Sequence, residues 1–111
     1  MTMQRLTDAN FEAALTSATR PILVVFTSRD CWICAAFATT LQQVVPSVAD
    51  RVDVATADVD DAPSAAAYYC IDGTPRSLLF RDGEEVTLLR GAWPAEDVIA
   101  FITDALQGSA E

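Results

Sequence analysis

A chain of 111 residues is long enough to bury one hydrophobic core without staples, so one domain is expected. Hydrophobic residues make up 51% and charged residues 21%, the balance of a globular chain rather than a disordered one. The formal charge of −9 argues against nucleic acid and anionic membrane surfaces as partners, since both would repel it.

Histidine is absent, so any chemistry must come from thiols, carboxylates or backbone groups. No apolar run behind Met1–Arg5 has the length of a signal peptide, and none could span a membrane. A cytoplasmic protein is expected, and there three cysteines do not make a structural disulfide framework.

In chain order, Leu6-Thr7-Asp8-Ala9-Asn10-Phe11 reads as a helix start. Thr7 is the N-cap, Asp8 lies in the first turn, and Leu6 with Phe11 form a hydrophobic staple. That helix should run to about residue 18, before Arg20-Pro21. Residues 22–27 are a continuous Val/Ile-rich run, a strand buried on both faces. A helix follows, with Cys34, Phe37, Leu41, Val44 and Val48 on one face, and Pro46 should kink or end it near Val45. A second strand spans Arg51 to Asp58, with Val52 and Val54 alternating against Asp53 and Ala55.

The acidic loop Asp58-Val59-Asp60-Asp61 reads as a solvated approach that suits the dipole of the next helix, over about residues 63–69. It lacks the spacing of a calcium loop. Residues 77–81 and 85–90 form a hairpin around Asp82-Gly83, a type I′ signal. Pro94, at the first helical position, opens a last helix whose buried stripe is Val98, Phe101, Ile102 and Ala105, and residues 107–111 should fray. The order helix, strand, helix, strand, helix, strand, strand, helix predicts an α/β fold, a mixed sheet with helices on both faces.

Cys31 and Cys34 stand where the buried strand turns into the helix. Residues three apart on a helix share a face, with Cα atoms about 5–6 Å apart, inside the window for a disulfide. Cys31 would lie at the helix N-terminus, where free N–H groups and the dipole favour a thiolate. Arg29 adds to that effect and Asp30 opposes it. A reversible dithiol/disulfide site is the favoured reading. Zinc is a poor second, for want of four ligands, and two inert small residues is the bland alternative.

The chain resembles the thioredoxin family across nearly its whole length. The residues that carry the likeness are Ile22 to Phe26, Cys31-x-x-Cys34, the segment Gly73-Thr74-Pro75 with the strand and hairpin behind it, and Gly91-Ala92 ahead of the last helix. The resemblance implies a thioredoxin-like fold and thiol–disulfide oxidoreduction on protein or small-molecule disulfides. Cys31 would attack and Cys34 would resolve the mixed disulfide. Pro75 would be a cis-proline against the disulfide. Thr74 would offer backbone groups to an extended substrate, and Trp32, Ile33, Gly91 and Ala92 would line the same groove. No metal or cofactor is called for. The implied partners are disulfide-bearing substrates and a reductant such as thioredoxin reductase or glutathione, and a monomer is expected.

The motif departs from the family pattern. Asp30 precedes the first cysteine where the family usually has Trp, and Trp32-Ile33 replace Gly-Pro, a pair that bears on the reduction potential. Val25 stands where the family carries a buried aspartate, Thr56 where it often has a lysine, and Thr39 where a proline kinks the helix. A resolving step that is slow, or that relies on water, is the expectation. Thr before the proline is more typical of disulfide isomerase-like and glutaredoxin-like members.

Two competing classes follow: a peptide-binding chaperone or assembly module, and a redox sensor. Trp32 is either a flat apolar contact for a partner or a shield for the disulfide. Trp93 packs over the last helix or joins Trp32 in one patch. Cys70 is expected to be a small buried hydrophobe, with a regulatory thiol or intermolecular disulfide as the minor reading.

Overall fold

The computed structural model describes residues 3–108. Five strands form one sheet in the order β1-β3-β2-β4-β5, where β1 is Gln4–Leu6, β2 Ile22–Thr27, β3 Asp53–Asp58, β4 Arg76–Arg81 and β5 Glu84–Arg90. The helices are α1 Phe11–Thr16, α2 Trp32–Val48, α3 Pro63–Tyr68 and α4 Ala95–Gly108. Strands β1, β3 and β2 pair in parallel, while β4 runs antiparallel to both β2 and β5. No described helix is long and apolar enough to cross a membrane.

Strand β2 is buried on both faces, and its side chains divide the core. Ile22, Val24 and Phe26 join Phe11 and Leu15 of α1 and Ala65 and Ala66 of α3 in one cluster. Leu23 and Val25 join Phe37, Leu41 and Val44 of α2 and Val98 and Ile102 of α4 in the other. This is the α/β arrangement with helices on both faces that the alternation of elements predicts. Each fully buried Phe or Leu contributes about 2–3 kcal/mol through the water it releases. Strand β3 is central too, so Ala55 is fully buried in the α1/α3 cluster and does not face solvent as its alternation with Val54 suggested.

Several boundaries differ from the sequence reading. Strand β1 precedes the first helix, and only Leu6 of its three residues is buried, so no periodic pattern announced it. Thr7 does cap a helical turn: its Oγ1 accepts from the Ala9 N–H (3.1 Å), and Asn10 Oδ1 accepts from the Thr7 N–H (2.7 Å). Regular helix is nonetheless confined to Phe11–Thr16, because Thr16 and Ser17 turn their hydroxyls back onto the carbonyls of Glu12 and Ala13. Asp8 serves a different helix, its carboxylate accepting from the Ser64 and Ala65 N–H groups at the start of α3.

Pro46 neither ends α2 nor marks its last residue, as α2 continues to Val48. The bond that proline forfeits would have run to Gln42, and both residues lie on the exposed face, where water can reach that carbonyl. Pro94 stands one position before α4, its carbonyl accepting from Val98 N–H at 3.1 Å. Gln107 and Gly108 are helical and not frayed, and residues 109–111 lie outside the described residues. The Asp82-Gly83 turn has positive φ at both residues (56° and 81°), as a type I′ turn requires.

Cys70 is exposed, not buried. It sits just past α3 with φ +56°, its N–H bonded to the Ala67 carbonyl and the Ile71 N–H to the Ala66 carbonyl. That is a Schellman termination, in which glycine usually holds the left-handed position. Ile71 packs against the core behind it.

Arg76 opens β4 and is only 8% exposed. Its guanidinium meets the Asp72 carboxylate at 2.8 Å, while its Nε is buried with no partner. The hydrogen bond and charge of Arg76 hold the Asp72 carboxyl below its ordinary value.

Two predictions follow from these local geometries. A side chain in the left-handed region costs about 1–2 kcal/mol. After allowance for the greater freedom of unfolded glycine, Cys70→Gly should raise stability by about 1 kcal/mol and Cys70→Val should lower it by a similar amount. Urea midpoints would read both, and a destabilised glycine variant would contradict the assignment. The Asp72 carboxyl titrates lower folded than unfolded, so its contribution is present above the unfolded value and lost as pH falls through the folded one. A stability difference between wild type and Asp72→Asn should therefore exist at pH 7 and disappear on acidification below the ordinary carboxylate range, read by thermal melts across pH.

Candidate active site

The site forms where β2 ends and β4 begins. The antiparallel register pairs Phe26 with Arg76. Continued two residues further, it brings Ser28 opposite Thr74, and the Ser28 Oγ and Thr74 Oγ1 hydroxyls meet at 2.7 Å. The β4–β5 register pairs Arg76 with Arg90, and one further step sets Gly91 against Pro75, with the Gly91 N–H donating to the Pro75 carbonyl at 3.0 Å. Gly91 has φ +87°, a conformation natural to glycine. Two strand registers thus converge on the Thr74–Pro75 segment, whose connecting peptide is cis.

Asp30, with φ +59°, turns the chain from β2 into α2. Cys31 is then the N-cap of α2. Its Sγ accepts a hydrogen bond from the Cys34 N–H at 3.1 Å, so the sulfur occupies the place that a serine or aspartate oxygen takes in ordinary capping. The Cys31 and Cys34 Cα atoms are 5.2 Å apart and the two sulfurs are bonded. Thr74 closes the other side, with its Oγ1 3.7 Å and its carbonyl oxygen 4.0 Å from Cys31 Sγ. A thiolate at this sulfur would face the helix N-terminus and could accept from the Thr74 hydroxyl, both of which favour negative charge.

The pair is asymmetric. Cys34 is 5% exposed and lies on the buried stripe of α2, whereas Cys31 is partly open to solvent. Thr56 of β3 shares the groove with Cys34 and pairs in register with Val25 of β2, and neither side chain carries a charge. Arg29 does not point its charge solely at the sulfur, because its guanidinium is shared between Asp60 (3.7 Å) and Asp61 (3.5 Å) of the acidic loop. An open groove flanks the disulfide, with walls that include Thr27, Ser28, Asp30, Ala38 and Thr56.

Around this centre Trp32 is 78% exposed and Ile33 39% exposed, on the first turn of α2. Trp93 is 46% exposed and is tied to the end of β5, its indole N–H donating to the Arg90 carbonyl at 2.7 Å. Ala92 is exposed on the loop before α4. Pro75 is buried and Thr74 half-buried. Among the described residues, no three His, Cys, Asp or Glu side chains converge where they could hold a metal ion. Ser28 is the site residue that the sequence reading missed. The signal for it lay in the register of β2 on β4, which no local pattern reveals.

A family model described as thioredoxin matches residues 2–104. The chain is 36% identical to the thioredoxin of Alicyclobacillus acidocaldarius subsp. acidocaldarius over 102 residues, covering 92% of this chain and 96% of that one. It is also 36% identical to thioredoxin C-2 of Corynebacterium nephridii over 101 residues, covering 91% and 94%. A third relative, the thioredoxin of Acidithiobacillus ferridurans, is 31% identical over 101 residues, covering 91% and 94%. With its mixed five-stranded sheet and its bonded Cys31–Cys34 pair, the chain belongs to the thioredoxin family and is a thiol–disulfide oxidoreductase.

Proposed function

We propose that Cys31 is the attacking thiolate and Cys34 the resolving thiol in the reduction of disulfides presented on extended protein segments. The observation that carries this is the unequal setting of the two sulfurs. Cys31 caps a helix at the surface beside Thr74, and Cys34 lies in the core behind it. An incoming disulfide can reach only the outer sulfur without disturbing the core. The Cys31 thiolate attacks one substrate sulfur, forming a mixed disulfide and expelling the other as a thiolate. Cys34 then loses its proton and attacks the Cys31 sulfur, forming the Cys31–Cys34 disulfide and releasing the second substrate thiol. Two electrons pass from the pair to the substrate.

Thr74 and the cis Pro75 lead into β4 beside the sulfur, which suits an added strand of substrate backbone. Trp32, Ile33, Gly91 and Ala92 supply an apolar rim for its side chains. A reductant such as thioredoxin reductase or glutathione would return the pair to the dithiol state.

Trapping tests the assignment. Cys34→Ser should accumulate a covalent adduct with a peptide disulfide through Cys31, visible on a non-reducing gel and reversed by dithiothreitol. Cys31→Ser should form none and should lose disulfide reductase activity by several orders of magnitude. In the reduced wild type, iodoacetamide should label Cys31 well before Cys34. Peptide binding that survives in the Cys31→Ser, Cys34→Ser double variant, with reductase activity intact in Cys31→Ser, would instead support a peptide-binding module.

A further inference from the structure

We infer that Asp30 is the proton acceptor for Cys34 in the resolving step, acting through water in the groove beside the disulfide. The inference rests on the assignment of Cys34 as the resolving thiol. Only a thiolate attacks, and burial in apolar surroundings keeps a thiol protonated. Cys34 is 5% exposed on the core face of α2, so it needs somewhere for its proton to go.

Thr56 of β3, which lines the groove with Cys34, and its register partner Val25 carry no charge. No histidine exists anywhere in the chain. The groove that opens onto Cys34 is lined by Thr27, Ser28, Trp32, Ala35, Ala38 and Thr56, all without an ionisable group, together with the two cysteines and Asp30. Among the described residues, Asp30 is thus the one carboxylate in its walls. The nearby Asp60 and Asp61 face Arg29 in ion pairs. Backbone geometry holds Asp30 in place, since its φ of +59° makes the turn into α2 and sets it next to Cys31. Thr27, Ser28 and Thr56, which line the same groove, carry hydroxyls that can partner water there.

The step balances. The Cys34 proton passes to Asp30 through groove water, and the thiolate attacks the Cys31 sulfur of the mixed disulfide. The Cys31–Cys34 bond forms, and the substrate thiolate leaves and is protonated from solvent.

The test is the reaction of the fully reduced protein with one equivalent of 5,5′-dithiobis(2-nitrobenzoate), followed by stopped flow in a Cys70→Gly background that silences the third thiol. The first thionitrobenzoate reports attack by Cys31, and the second reports resolution by Cys34. Asparagine and glycine both tolerate a left-handed φ, so Asp30→Asn and Asp30→Gly should keep the turn. Both should leave the first phase as fast as wild type or faster, since a negative charge beside Cys31 is gone. Both should slow the second at least about tenfold and make it rise in proportion to hydroxide. Added formate should recover part of the second phase in Asp30→Gly, which a merely structural role would not allow. A second phase that is unchanged or accelerated in both variants would overturn the role of Asp30 while leaving the oxidoreductase assignment standing. Absence of any Cys31–Cys34 disulfide in wild type would overturn the assignment on which it rests.

Discussion

Everything at the site depends on how β4 pairs with β2. The pairing is antiparallel, so the end of β2 and the start of β4 lie side by side at one end of the sheet. The turn into α2 leaves from one and the Thr74–Pro75 peptide enters the other. Burial fixes the register. Both strands carry side chains into two separate core clusters, and a slip of one residue would exchange every residue between them. Fixing Leu23 against Leu79 and Val24 against Leu78 therefore also fixes Ser28 against Thr74 and the Cys31 sulfur beside it. Core packing thus sets the position of a reactive atom at the surface.

Within that frame the chemistry is a matter of unequal surroundings. The Cys31 sulfur receives an N–H at a helix start and lies close to a threonine hydroxyl, both of which stabilise a negative charge. The second sulfur is buried on the core face of α2, and Thr56, which shares its groove, carries no charge. In the proposed mechanism this difference gives the attack to Cys31 and leaves deprotonation of Cys34 to the groove. Trp32 and Ile33 stand exposed on the first turn of α2, and Trp93 is exposed at the end of β5.

Much of this was legible because it is local. The Ile22–Phe26 run, the three-and-four spacing from Cys34 to Val48 and the Asp82-Gly83 turn each carry their own physical signature in a few consecutive residues. So does Cys31 at the start of a helix. What escaped was long-range or irregular. Asp8 reads as the first turn of its own helix, yet it caps α3, more than fifty positions downstream. Strand β1 has one buried residue, too few for a period. Cys70 looks like a core residue by composition, but the turn that ends α3 leaves it exposed and packs Ile71 against the core instead. Arg29 reads as a charge beside the thiol until the acidic loop folds back and shares it.

The most direct test of the account is an equilibrium one: reduced and oxidised protein brought to balance in graded thiol buffers, quenched with acid and mapped by mass spectrometry. The account predicts a single two-electron transition, about 30 mV per tenfold change in ratio, in which Cys31 and Cys34 pair and Cys70 stays a free thiol throughout. Failure of Cys31 and Cys34 to form a bond at any poise, or a pairing that draws in Cys70, would contradict it.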